Sequence, residues 1–476
     1  MKYLLQDVEP RLPLRFFEEI SAIPRASGNE AGIADYLVAF ARAKGLFCHR
    51  DEANNVLIKK NATAGRENEP IVILQAHTDM VAEKNVGVVH DFEKDGIRLV
   101  RDGDILRADG TTLGADDGYG VSMILGVLEE CTDHPALECL FTSSEETGMD
   151  GALAFDYSQI SARILLNLDG GEEDLLTCGC CGGLRSDLHL PITVTEDTAS
   201  GLRIALDGLC GGHSGEDIHR GRSNALTLMS ELLLAVRSLG EMRIGTLHGG
   251  DKSNAIPRDC TAVIATPDIA RATAVLKEKI SQIKARLVAD DAAFEACVEP
   301  VGADALCTAA DTDRILHLLA TTGGVMEWHG EIEGLPYTSR NVASVRLGGD
   351  ECLIVISHRS FDFSKVEESA GEIEARVSRA GGIVCHHNAY PGWDSPMNSP
   401  LIEKWRRAYG DVVGEPLRVN AIHAGLECGL FAGNLKGLSA ISLGCNIWDL
   451  HTPAERMSLS SYDRIYRTLL YFLKNV

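Results

Sequence analysis

Positive charge is scarce in this chain of 476 residues: 45 lysines and arginines stand against 69 aspartates and glutamates, a formal net charge of −24. That deficit argues against nucleic acid or an anionic membrane as a partner, because both need a basic footprint. Long apolar runs are missing too. No segment approaches the ~20 uninterrupted apolar residues of a membrane span. The start, MKYLLQDVEP, has one lysine and an apolar stretch cut short by Gln6 and Asp7, too little for a secretory leader. Fourteen cysteines in such a chain point to free thiols in a reducing cytoplasm. The densest group, CGCCGG (178–183), has no second C-x-x-C half, so it reads as small residues at a close backbone approach rather than a thiolate metal site. No low-complexity linker interrupts the chain. What is left is ordinary globular composition, long enough for two or three domains.

The pattern along the chain divides it. Up to about residue 187, helical and strand signals alternate. Ser27 and Glu30 have capping-box spacing ahead of a helical run ending near Gly45. NNVLIKK, IVILQA, ALECLFTSS and ARILLNLD read as strands, and GYGVSMILGVLEECT reads as a helix. This predicts an α/β catalytic domain with helices on both faces of a mostly parallel sheet. Residues 188–389 change character, with alternating strands and amphipathic helices in two successive batches. They predict an inserted α+β lid domain of two similar halves. Met229 and Leu232–Leu234 belong to a helix core there. Residues 390–476 return to α/β character and complete the first domain.

The chemistry gathers at strand ends. IVILQA is followed by His77 and Asp79, ALECLFTSS by Glu145 and Glu146, ARILLNL by Asp169, and LSAISLGCNIWD by His451, while Asp116 and Asp117 precede a helix. In open α/β sheets, sites form beyond the carboxyl ends of the strands. Five segments thus deliver ligand-type residues to one edge. Two imidazoles with carboxylates suit divalent ions, two of them, with zinc favoured and cobalt or manganese acceptable. One carboxylate could bridge ions ~3.5–4 Å apart. If extended geometry continues past the strand, Asp79 shares a face with His77 and orients its ring.

HTDM, GTTLGADDG, SSEETGMDGA, LNLDGGEE, CGGHSGEDIHRGRSNA, HAGLECG and HTPAERM, in this order over essentially the whole chain, resemble the M20 metallopeptidases, in particular their dipeptidase branch. The resemblance implies that His77 and Asp169 bind one metal, Glu146 and His451 the other, and that Asp116 bridges them with a cis peptide to Asp117. It implies that Asp79 orients His77, that Glu145 is the general base, that His213 polarises the scissile carbonyl, and that Asn254 contacts substrate. Asp117 departs from the pattern, since many relatives have Asn there. A turn-capping role competes for Asn254. Arg359, in SHRS, offers a guanidinium for a substrate carboxylate, against a surface ion pair as the alternative. Glu427 and His423 fall near the site without an assigned role; His219, His386 and His387 read as structural or exposed.

The activity implied is metal-dependent hydrolysis of dipeptides, Xaa-His among them, in the cytoplasm. Hydrolysis of N-acyl amino acids is the alternative on the same site, and a non-catalytic metal-binding protein is a third reading, opposed by the retention of Glu145 and the ligands. A homodimer through the lid, and whether His213 acts within its own chain or across that dimer, both stay open.

Overall fold

The computed structural model describes residues 3–321 and 323–476; Met1 and Lys2 of the stretch read for a leader lie outside them. Among the described residues, no helix is long and apolar enough to cross a membrane. The chain forms two compact units. The first comprises Met1–Cys180, Trp393–Ala421 and Leu426–Val476, the second Cys181–Gly392 and Ile422–Gly425. The crossing at Cys180/Cys181 comes earlier than the change at 187/188 drawn from pattern, because Gly182–Pro191 is already a strand of the second unit.

In the first unit, the short apolar runs become strands buried through their centres, as expected of parallel strands covered on both faces. They pair in the order Leu137–Thr142, Val72–His77, Ile164–Gly170 and Ser439–Gly444, all parallel. Beyond them the sheet turns antiparallel, with Val56–Lys60 and Phe47–Arg50 on one side and Leu175–Cys180 and Trp393–Asp394 on the other. The expected parallel arrangement therefore describes the centre of a mixed sheet. Short links such as the one from Arg50 to Val56 permit only antiparallel pairing.

Alternation along these strands separates two faces. Val72, Leu74, Ala76, Cys139, Phe141, Leu166 and Leu168 join helices Arg11–Ser21, Ala115–Glu130 and Leu459–Asn475 in one buried cluster. Gln75 points the other way, where its Nε2 donates to Glu427 at the start of helix Glu427–Asn434. Ser27 and Glu30 do not form a capping box. Ser27 Oγ donates to Asp79, and Glu30 accepts from Gly28 N and from Ser144, so both side chains hold loops of the first unit instead of a helix end.

The second unit is built on a nine-stranded antiparallel sheet. Its path runs Glu295–Ala303, Ala199–Asp207, Cys260–Ala265, Arg243–Gly249, Pro336–Gly348, Glu351–Ser360, Gly182–Pro191, Ile383–Tyr390, with Gly324–Trp328 paired to Pro336–Gly348. Helices Ala225–Arg237, Ile269–Lys284, Ala309–Leu319 and Phe363–Arg379 share one buried cluster with it. Met229, Leu232 and Leu233 enter that core, but Leu234 is 41% exposed, since the helical period carries it off the buried face. At CGCCGG, a Cβ on Gly182 would come within 2.5 Å of Gly392 N, the close backbone approach expected of that run.

Trp405 is fully buried and packs on Phe472 with ring centroids 5.4 Å apart. Trp405→Ala is expected to cost about 3–5 kcal/mol, read as a lowered thermal unfolding midpoint; an unchanged midpoint would contradict this packing.

Candidate metal centre

His77 closes its strand with its side chain only 1% exposed. Its Nε2 lies 2.9 Å from Asp116 Oδ1 and 3.5 Å from Asp169 Oδ1. The other oxygen of Asp116, Oδ2, lies 3.2 Å from His451 Nε2, which in turn is 3.1 Å from Glu146 Oε1. Two triads result, His77–Asp116–Asp169 and Asp116–Glu146–His451, and within each the ligand-type atoms lie within 4.8 Å of one another. Asp116 belongs to both and faces each imidazole with a different oxygen. The structure thus brings together all five residues read from the sequence as metal ligands. The Asp116–Asp117 peptide is cis.

Glu145 and Glu146 follow a strand that has already ended at Thr142. Ser144 has φ 51° and the amides of Gly148 and Met149 both donate to Glu145 O, so the chain turns tightly here. Asp79 fixes that turn. Its Oδ1 accepts from Glu145 N at 3.0 Å, and its Oδ2 accepts from Glu146 N at 3.2 Å and Ser27 Oγ at 2.7 Å. The same carboxylate stands 3.3 Å from His77 Nδ1, close enough for charge pairing although outside hydrogen-bond geometry.

Crowded carboxylates compete for charge. Burial raises Asp169 to about 7, against the pull of His77. Burial also lifts Glu145 well above the carboxylate range, with Asp169, Glu427 and Glu146 adding to the effect. Burial works against Asp116 too, but hydrogen bonds from His451 and His77 win and hold it low. The carboxylates of Asp116 and Glu146 beside it raise His451 to about 10. Cations would relieve this repulsion. Glu146 Oε1 is buried without a hydrogen-bond partner. That orphaned oxygen, the shared Asp116 and the mixed imidazole–carboxylate donor set together fit divalent metal ions.

Two residues of this centre carry no strand-end signal in the sequence. Glu455, within HTPAERM, is 2% exposed. It accepts four backbone N–H groups, from Leu113 and Gly114 on Oε2 and from Ala115 and Asp116 on Oε1, at 2.7–3.3 Å. Arg25, also 2% exposed, donates to the carbonyls of Thr78, Asp79 and Gly114. Together they clamp the Asp116 loop against the end of the His77 strand. Gly170 and Gly444 allow a further close approach, since a Cβ on Gly444 would fall 1.9 Å from Gly170 O.

Most of the remaining residues singled out in the sequence lie in the second unit. His213 is half-buried and opposes Ala255 in a short antiparallel pair, and Ser214 N donates to Asn254 O at 2.8 Å, which puts Asn254 beside it. The exposed Asn254 caps this link through its backbone carbonyl. Arg359 is not the surface ion pair of the alternative reading. It is 9% exposed, donates to Tyr390 Oη at 3.0 Å, and its Nε has no hydrogen-bond partner. Its charge adds to burial in lowering both His213 and His423, the latter to about 3. His423 bonds Ser339 Oγ at 2.7 Å, and Glu427 lies in the first unit. His219, His386 and His387 are exposed.

Residues 204–293 match the model of the M20 peptidase dimerisation domain. Over 481 aligned residues, covering 99% of both sequences, the chain is 36% identical to the cytosol non-specific dipeptidase of Escherichia coli K12. It belongs to the M20 family of metallopeptidases. Among solved structures, the aminoacylhistidine dipeptidase of Vibrio alginolyticus superposes with a TM-score of 0.91 at 32% identity, covering 100% of this chain and 98% of that one. The di-peptidase Dug1p of Saccharomyces cerevisiae, at 13% identity and a TM-score of 0.54 over 99% of this chain and 96% of that one, shares the fold.

Glu455→Gln would turn an amide NH₂ toward backbone donors. It is expected to cost about 1–3 kcal/mol and to speed amide hydrogen exchange at Leu113–Asp116. Unchanged exchange there would refute the clamp.

Proposed function

We propose that this chain hydrolyses dipeptides, Xaa-His substrates among them, with two divalent ions, zinc by preference. The observation that carries the reading is Asp116 shared by two ligand triads, with Glu145 next to the ligand Glu146. The full-length likeness to dipeptidases narrows the substrate. In this reading His77 and Asp169 would hold one ion and Glu146 and His451 the other, with Asp116 available to both. Such ions would supply Lewis acidity and ease deprotonation of the attacking water. Glu145 takes the proton from that water and returns it to the leaving amine. Asp79 orients His77 and holds the backbone of Glu145, so ligand and base stay in fixed relation.

The second unit carries the dimerisation-domain match at residues 204–293, which supports a homodimer through it. Within that unit we assign the scissile carbonyl to His213 and the substrate's carboxylate to Arg359, with Asn254 as a further contact. A buried guanidinium with a spare N–H suits charge-assisted recognition of a carboxylate. The cytosolic relative supports a cytoplasmic setting.

Glu145→Gln is expected to keep two metal ions per chain, by elemental analysis, while turnover falls about 10²–10⁴-fold; near-normal turnover would remove Glu145 as the base. A panel of Ala-His, Ala-His-amide, Ala-His-Ala and an N-acyl amino acid tests the substrate. Ala-His should show the highest kcat/KM, since a lost or displaced carboxylate forfeits a charge-assisted contact. Equal values for the three peptides would sink the carboxylate assignment, and preference for the N-acyl compound would favour amidohydrolysis.

A further inference from the structure

Two residues before His77 and two before Asp169, where a buried strand calls for hydrocarbon, the chain carries amides. Gln75 and Asn167 are both 0% exposed and stand opposite each other on adjacent parallel strands. Residues two apart on a strand share a face, so each amide lies one step beneath a ligand. Asn167 Nδ2 donates to Gln75 Oε1 at 2.7 Å. Gln75 Nε2 donates to Glu427 Oε2 at 2.6 Å and to Thr142 Oγ1 at 3.1 Å. Thr142 Oγ1 donates to the same Glu427 oxygen at 2.9 Å. Thr142 and Glu427 are fully buried as well, and Thr142 ends the strand that leads to Glu145 and Glu146.

With Glu427 as a carboxylate these bonds run in one direction, and Asn167 Oδ1 and Glu427 Oε1 at the two ends have no hydrogen-bond partner. A Gln75 amide turned over would set its oxygen against the Glu427 carboxylate and its NH₂ against the Asn167 NH₂. Buried polar groups of this kind are costly unless satisfied, and they favour one arrangement over its competitors. Here the arrangement selected is the register of the strands that carry His77 and Asp169. A slip of one residue would turn both side chains to the opposite face.

We infer that Gln75, Asn167 and Glu427 are positioning residues that set the spacing of His77 and Asp169 and so control the affinity of one metal position and not the other. This rests on the dinuclear reading above. His77 and Asp169 share a triad with Asp116, whereas Glu146 and His451 share theirs from loops that make no hydrogen bond to Gln75 or Asn167, although His77 also lies within reach of Glu145 and Glu146. The effect travels through ligand geometry, as it does for other groups that orient metal ligands from outside the coordination sphere.

The test is titration of metal-free full-length protein with Co²⁺, followed by calorimetry and visible absorption, with the thermal midpoint of the metal-free protein measured alongside. Wild type should take two ions. Gln75→Leu and Asn167→Leu should each weaken one binding step about 10–100-fold, change the absorption of that step, leave the other within a few-fold, and lower the metal-free midpoint only modestly, since each leaves a buried partner unpaired. Gln75→Glu alone sets two carboxylates together and should weaken the same step. Pairing it with Glu427→Gln restores donor against acceptor and should recover the affinity. An unchanged two-step titration in Gln75→Leu overturns the inference. So does equal weakening of both steps with a sharply fallen metal-free midpoint, which would mark a merely structural role, or failure of the paired exchange to recover binding. A wild type that takes no ions overturns the dinuclear reading itself, and the positioning role with it.

Discussion

The Asp79 carboxylate is the constraint on which the centre depends. It pairs with the ring of His77 on one strand and accepts the backbone amides of Glu145 and Glu146 beyond the next. His77 and the adjacent glutamates are thereby referred to one rigid group. Two neighbouring glutamates would diverge on a regular strand. Here the strand has ended, and the turn after it is held from outside by Asp79 and, through Ser144, by Glu30.

The same logic extends around the centre. Carboxylates that bind no metal in the proposed reading hold backbone instead: Glu455 gathers four amides beside Asp116, and Asp117 accepts from His77 N and Gly120 N. A net charge of −24 says nothing of this division of labour. Part of that acidity binds amides in place, part crowds toward a would-be cation site, and most is solvated surface.

How much could be read beforehand depended on range. Ligand-type residues after short apolar runs were legible because the strand end and the residue after it are adjacent in sequence. The sheet's parallel centre followed from the same runs, but not its antiparallel margins, which depend on which strand finds which neighbour. Ser27 and Glu30 misled because capping-box spacing is local while their real partners, Asp79 and Ser144, are more than 50 residues away. Glu455 and Arg25 were silent for the same reason. Gln75 and Asn167 did leave a mark, as lone amides inside apolar strands, and only their cross-strand partners give it meaning.

The four residues Ile422–Gly425 alter how the chain can be taken apart. They belong to the second unit although both flanks belong to the first, so the backbone passes between units four times, not twice. The carbonyls of Ile422 and Ala424 both accept from Cys181 N, where the second unit begins. The 181–392 stretch is therefore not a detachable cassette. Excised at its obvious ends, it would leave behind its own closing stitch, and a gene fusion or transplant of this region would have to carry a piece encoded some 30 residues downstream of Gly392.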